Sequence, residues 1–252
     1  MRISLLEKLA KKNNTFTFAD AFKTTKVQRD VLWVILSRLE EKGWIERIEK
    51  GKYMIIPLGA EKGKYTLHEF IIGSLLVKPY CISYWSALHY YGFTEQIPNT
   101  VFIQTTSRKK KQKLEVFGVK YKIVRVKPEK FFSLKTEWVE ESSVNIVNKE
   151  KCIIDCLDKP QYCGGIVEVA KALKNKNIDI IKLLEYAQRI GNSGVIRRLG
   201  YLCDLFNKRI RLPEIKTRNY LFLDPTMNHK GTRNSKWRLT INLNQEILGN
   251  LE

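Results

Sequence analysis

Apolar residues recur at helical spacing through 27–39. Val27, Val31, Ile35 and Leu39 lie four apart, with Leu32 and Leu36 beside them. This pattern predicts a helix with one buried stripe. Thr25 with Gln28 has the T-x-x-Q form of a capping box, which satisfies unpaired amides at a helix start, and Gly43 is placed as the stop. Trp44, Ile45 and Ile48 resume in strand fashion, 49–52 turns around Gly51, and 53–56 returns as a second strand. Upstream, Ile3, Leu5, Leu6 and Leu9 space a short helix. Thr17 caps another over 18–23 that packs Phe18, Ala21 and Phe22. Three helices followed by a β-wing is the winged helix-turn-helix order.

Residues 58–65 are polar and glycine-containing and read as a linker between a unit at 1–57 and one at 66–252. Thr66 with Glu69 repeats the capping-box form ahead of a helix ending near Val77, with Pro79 just beyond. Ser83 caps a helix to Tyr90 that Gly92 ends. The period then shortens. Val101–Ile103 and the alternating 119–126 read as strands, the second with one wet face, and Val144–Val147 as one more. From 150 the chain turns helical: 150–157, a helix opened by Gly164–Gly165, 178–190 capped by Asn177 with Ile180, Ile181, Leu183 and Leu184 inward, and 194–207 capped by Ser193. Tyr220–Leu223 reads as a late strand before an Asp224–Pro225 turn. The fold class is therefore α+β: an N-terminal winged helix-turn-helix, then a mixed domain with a small sheet and a helical bundle.

Charge gives the pattern a direction. The 252 residues hold 45 Lys and Arg against 26 Asp and Glu, a net charge of +19. Such a balance attracts polyanions, nucleic acid first. Residues 1–57 contribute only 12 basic against 7 acidic residues, so most of the excess lies later. It clusters in 107–127, with 9 basic and 1 acidic, and in 208–238, with 9 and 2, where Trp237 interleaves with Lys236 and Arg238. Lysines in 107–113 suit phosphate contact, and equally an edge strand guarded against pairing. On the long helix, a cationic and amide-bearing N-terminal end beside a basic wing suits a major groove. Thr25, Lys26, Gln28, Arg29 and Trp33 are the candidate groove residues. Lys50 and Lys52 on the wing, with Arg108, Lys109, Lys110, Lys111 and Lys113, are the candidate phosphate contacts.

Chemistry beyond binding has little support. Cys152, Cys156 and Cys163 could offer three thiolates, but no fourth ligand accompanies them. His68, His89 and His229 stand apart, so buried thiols are the simpler reading and no metal or cofactor is expected. No hydrolase, P-loop or dinucleotide motif occurs. Asp155 and Asp158 are the only close aspartate pair, too little for two-metal phosphoryl chemistry. A nuclease or nucleotide-modifying enzyme using that pair is the weaker alternative, and no catalytic residue is assigned. Five cysteines without C-x-x-C or a secretory leader imply a reducing cytoplasm. No apolar run approaches the ~18 residues of a membrane span.

Three stretches resemble the AbiEi family of antitoxins of type IV toxin–antitoxin systems: SRLEEKGWIERIEKGKYMIIP, ISYWSALHYYGFTEQIPNTVFIQTT and EKCIIDCLDKPQYCGGIVEVAKAL. The last carries Asp155, Leu157, Pro160, Gly164 and Gly165 in the family's places. The resemblance implies an autorepressor whose winged helix binds double-stranded DNA at inverted repeats in its own promoter. It also implies a C-terminal domain that counteracts a nucleotidyltransferase toxin, with or without a stable complex, and that adds basic contacts to DNA. Gly73–Ser74 lacks the D-x-D pair expected of that toxin, so the chain resembles the antitoxin partner. A stand-alone winged-helix regulator without a toxin is the alternative.

Overall fold

A computed structural model describes residues 2–11, 14–25, 27–57, 59–60, 65, 67–175, 177–244 and 248. Lys26 and Thr66, and most of the 58–65 stretch, lie outside the described residues. Helices and strands are both present, in the expected α+β class.

The N-terminal part, called the head below, contains α1 (Arg2–Ala10), β1 (Thr15–Thr17), α2 (Phe18–Thr25), α3 (Arg29–Glu41), β2 (Ile45–Glu49) and β3 (Lys52–Ile55). Thr17 caps α2 as expected, and its partner is Asp20. The Thr17 amide and hydroxyl donate to Asp20 Oδ2 at 2.9 and 2.6 Å, and the Asp20 amide donates back to Thr17 Oγ1 at 3.2 Å. The Thr25–Gln28 capping box does not form. Thr25 is the last residue of α2, where its hydroxyl donates to the Ala21 carbonyl at 3.0 Å. Gln28 is the N-cap of α3 and makes no side-chain cap bond. Gly43, at φ +70°, ends the helix, with its amide on Glu40 O and that of Trp44 on Leu39 O.

The buried stripe of α3 is Leu32, Ile35, Leu36 and Leu39. Val31, expected inside, is 46% exposed. The run from Val31 to Leu36 is apolar almost throughout, so its phase cannot be read without the surface it packs against.

The wing is a wall shared by two cores. Side chains alternate across a strand. Ile45, Tyr53 and Ile55 join the head cluster with Leu32, Leu36 and Leu39, while Ile48 and Met54 join the apolar cluster of the rest of the chain, called the body. β1 pairs with β3 on the hairpin's other edge, a strand the period did not reveal.

The body begins with α4 (Glu69–Leu76), capped by His68, whose Nδ1 accepts from the Phe70 amide at 3.1 Å. β4 (Cys81–Ile82), α5 (Tyr84–Tyr90), β5 (Thr100–Thr105), β6 (Lys113–Val116), β7 (Val119–Arg125), β8 (Leu134–Val139) and β9 (Ser142–Val147) follow. They build one six-stranded sheet in the order β6-β7-β5-β4-β9-β8. α4 lies on one face, where the Tyr121 hydroxyl donates to Glu69 O at 3.2 Å. A Cβ on Gly73 would stand 3.2 Å from Ile103.

The helical run is α6 (Lys149–Asp158), α7 (Ile166–Lys174), α8 (Ile180–Ile190) and α9 (Ser193–Leu205). Its caps differ from expectation by a residue or two. Asp179 caps α8 by accepting from the Ile181 and Lys182 amides, and Asn192 caps α9 by accepting from Gly194. Ile181, expected inward, is 78% exposed.

A third sheet joins β10 (Leu221–Phe222), β11 (Thr232–Asn234) and β12 (Leu239–Ile241). Trp237, which interleaves with Lys236 and Arg238 in the basic tail, is a core residue. It lies against Gly200 of α9 and donates Nε1 to Asp204 Oδ2 at 2.6 Å.

Candidate nucleic-acid interface

α2, a short connection and α3 form the helix-turn-helix, and the Thr17–Asp20 box sets the entry angle of α2. Gln28 at the N-cap and Arg29, Asp30, Val31, Val34, Ser37 and Arg38 on α3 are all exposed. Two valines there, Val34 being 49% exposed, are unusual on a solvated face and suit contact with thymine methyl groups. Sequence reading missed Val34 and Arg38, and it placed Val31 on the wrong side. The only available signal was that α3 holds more apolar residues than one stripe can use.

The expected groove residues separate. Gln28 and Arg29 are presented at the start of α3. The Arg29 guanidinium lies over Phe18 and Phe22, at 5.5 and 6.0 Å from the ring centroids. Trp33 is not on this face. Its ring stacks on Phe18 at 4.3 Å and sits beneath Gly51, so it ties α3 to α2 and the wing turn. Thr25 is spent on α2, and Lys26 lies outside the described residues.

The expected phosphate contacts separate too. Lys50 at the wing turn and Arg108, Lys110, Lys111 and Lys113 are exposed. Lys52 and Lys109 are turned into the joint between head and body. The Lys52 ammonium donates to Glu49 Oε2 and to Leu76 O, both at 2.8 Å. Lys109 donates to the same two acceptors at 3.0 and 2.6 Å. Leu76 is the last residue of α4, whose terminal carbonyls lack helical partners and carry the negative end of the dipole. Two ammonium groups thus cap α4, and Glu49, accepting from both, fastens the wing to it. Burial pushes the Glu49 carboxyl up, but the hydrogen bonds and charges of Lys52 and Lys109 outweigh it and leave the group below its ordinary value. Burial pulls Lys109 down.

The aspartates weighed for chemistry are both engaged in internal hydrogen bonds and ion pairs. Asp155 is buried, paired with Lys151 one turn earlier, and accepts from Ser83 Oγ at 3.0 Å. Burial pushes its carboxyl up against the pull of Lys151 and Ser83. Ser83 therefore tethers α6 rather than capping α5, for which it makes no side-chain bond. Asp158 accepts from Lys130 and from Asn192 Nδ2 at 2.6 Å. The five cysteines are buried thiols. Among the described residues no group of three or more His, Cys, Asp or Glu could hold a metal, and no helix is long and apolar enough to cross a membrane.

The other residues of that stretch also have packing roles. Leu157 O accepts from the Arg198 guanidinium at 3.0 Å. Gly165, at φ +91°, leaves room for Asp224, to which the Ile166 amide donates at 2.6 Å. A Cβ on Gly165 would stand 2.5 Å from that carboxylate.

Three helices, a capped turn and a β-hairpin make the N-terminal part a winged helix-turn-helix. Residues 4–56 match the family model described as "Transcriptional regulator, AbiEi antitoxin", a family of regulators and not of enzymes. The match covers all but the last residue of the first of the three stretches noted above and stops before the other two. No curated protein matches the chain.

Proposed function

We infer that this protein is a DNA-binding regulator of the antitoxin kind. In this reading residues 1–57 read double-stranded DNA through α3 and repress the protein's own promoter from inverted repeats. Residues 66–252 counteract a nucleotidyltransferase toxin in the cytoplasm, with no catalytic step of their own. The observation that carries the DNA reading is the outward face of α3. Gln28 at its N-cap and Val31, Val34 and Arg38 along it are exposed, as is Lys50 at the wing turn, while the Leu32–Leu39 stripe seats the helix in the core. Arg108, Lys110 and Lys111 flank the joint and extend the phosphate track. Two of the expected cations, Lys52 and Lys109, hold the head against the body, so they orient the reading helix instead of gripping phosphate. The toxin reading is supported by the two stretches in the body that resemble the family.

A gel shift on the protein's own upstream region tests the DNA reading. Gln28→Ala with Val34→Asp should weaken binding by at least about tenfold, since a good base contact contributes ~1–3 kcal/mol. Binding should fall by about three to five decades between ~50 and ~200 mM salt if ~6–10 phosphates are contacted. Unchanged affinity and sequence preference in the double variant would remove α3 from the interface. The same full-length variant should still suppress the toxicity of the neighbouring nucleotidyltransferase on co-expression. Loss of that protection would tie neutralisation to repression instead of to the body.

A further inference from the structure

One face of the six-stranded sheet is only partly covered. α4 occupies the opposite face, and the head is fastened to the C-terminal end of α4. On the free side, α5 and α6 pack over the central strands, where Gln104 donates to the Tyr84 hydroxyl at 3.0 Å. Beyond them, over β6 and β7, a groove of about 680 Å³ is open. Thr100, Phe102, Lys113, Glu115, Lys120 and Lys122 floor it, and Tyr162, from the short turn after α6, forms a wall.

The floor breaks a rule of sheet design. Lys113 and Lys122 are register partners on adjacent antiparallel strands. Like charges directly opposite one another repel and destabilise a sheet. Among the described residues neither of these two has a carboxylate in ion-pair range, and Lys120 stands opposite Glu115 without closing an ion pair. Lysines that guard an edge against pairing would explain Lys113 on β6. They do not explain Lys120 and Lys122, because β7 is an interior strand between β6 and β5. Three lysines against one carboxylate, Glu115, leave this face cationic and suited to an anion.

The aromatic side of the groove narrows the class. Tyr162 packs against Phe102 at 5.8 Å, and the Lys122 ammonium lies 5.9 Å from its ring centroid. Cations beside an aromatic ring in a concave strip are what a flexible single strand uses: phosphates take the charges and an unstacked base takes the ring. A duplex offers only its phosphates at such a surface, and an acidic peptide would use the lysines but leave the ring idle. The volume falls within the ~300–1,000 Å³ of ordinary ligand sites, room for a short segment rather than a long track.

We propose that this groove binds a segment of single-stranded nucleic acid, with phosphates on Lys113, Lys120 and Lys122 and a base against Tyr162. The site lies away from α3 and does not rest on the duplex reading above.

Fluorescence anisotropy of the full-length protein at low salt tests it, with labelled single-stranded DNA and RNA of about 12 nucleotides. Lys120→Gln with Lys122→Gln should weaken single-strand binding at least about tenfold and leave binding to the upstream duplex within about twofold. Tyr162→Leu should weaken single-strand binding about tenfold, and Tyr162→Phe, which keeps the ring and its packing, should bind like the parent. Four results would overturn the proposal: no single-strand binding; the lysine pair without effect; duplex and single strand weakened in step; or a glutamate-rich peptide competing as well as the oligonucleotide while Tyr162→Leu binds normally.

Discussion

Head and body are stabilised in different ways. The head's buried residues are apolar: Leu5, Leu9, Phe16, Ala21, the α3 stripe, Ile45, Tyr53 and Ile55. The buried polar and charged residues of the described chain all belong to the body, among them Lys151, Asp155, Glu168, Arg197, Arg198 and Asp224. An apolar core tolerates exchange of one hydrophobe for another of similar volume. A buried ion needs its particular partner, and removing one side strands the other. The head is thus a general scaffold that presents a variable outer face. The body is specified by residues that meet only on folding: Ser83 with Asp155, Arg198 with Leu157 O, Asp224 with the Ile166 amide.

Hydrogen exchange followed separately in α3 and α6 sets the two regions against each other. The largest effect belongs to the body. Asp155→Ala should cost about 3–5 kcal/mol by leaving Lys151 buried and unpaired, and should collapse protection in α6. Replacing both members by apolar residues should recover most of the loss, and failure to recover would show that the pair does more than balance charge. Next is Leu36→Ala, expected to cost about 2–5 kcal/mol and to be read first in α3. Met54→Ala should cost a similar amount but lower protection in both regions, because its side chain lies on the body side of the wing. An effect confined to α3 would mean that the wing is no shared wall. Thr17→Ala, which removes the α2 capping box, should cost about 1 kcal/mol, in the head alone.

Glu49→Gln should have the smallest effect on stability, within about 1 kcal/mol, since the pair is part-exposed. Its consequence is for the joint. The Glu49 pKa is lower folded than unfolded, so its contribution is fully present above the ordinary carboxylate value. It is lost as pH falls through the lowered one. Acid should therefore loosen the head from the body in the parent and change little in Glu49→Gln. A pH response identical in both would place the acid-sensitive contact elsewhere.

The elements easiest to read were those fixed by local chemistry. The Gly43 and Gly92 stops, the Thr17 cap and the strand at 119–125 depend on residues a few positions apart. β8 escaped because its pattern is nearly all wet. Leu134 and Trp138 are exposed, the latter at 74%, on a strand at the sheet's rim. The phase of α3 escaped because Val31 and Ile35 are equivalent to a period and not to a packing surface. Of the candidate site residues, Gln28, Arg29 and Lys50 are exposed and so available for contact, while Thr25 and Trp33 are absorbed by packing.

The sequence by itself determined the class of the fold, the place of the winged helix and the sign of the protein's charge, because these follow from spacing and composition. Tertiary structure alone decided which cations are free. Lys52 and Lys109 are consumed at the end of α4, while Lys120 and Lys122 face an open groove. A lysine's role depends on the carboxylate or carbonyl that folding brings within about 3 Å of it, and that partner is often dozens of residues away.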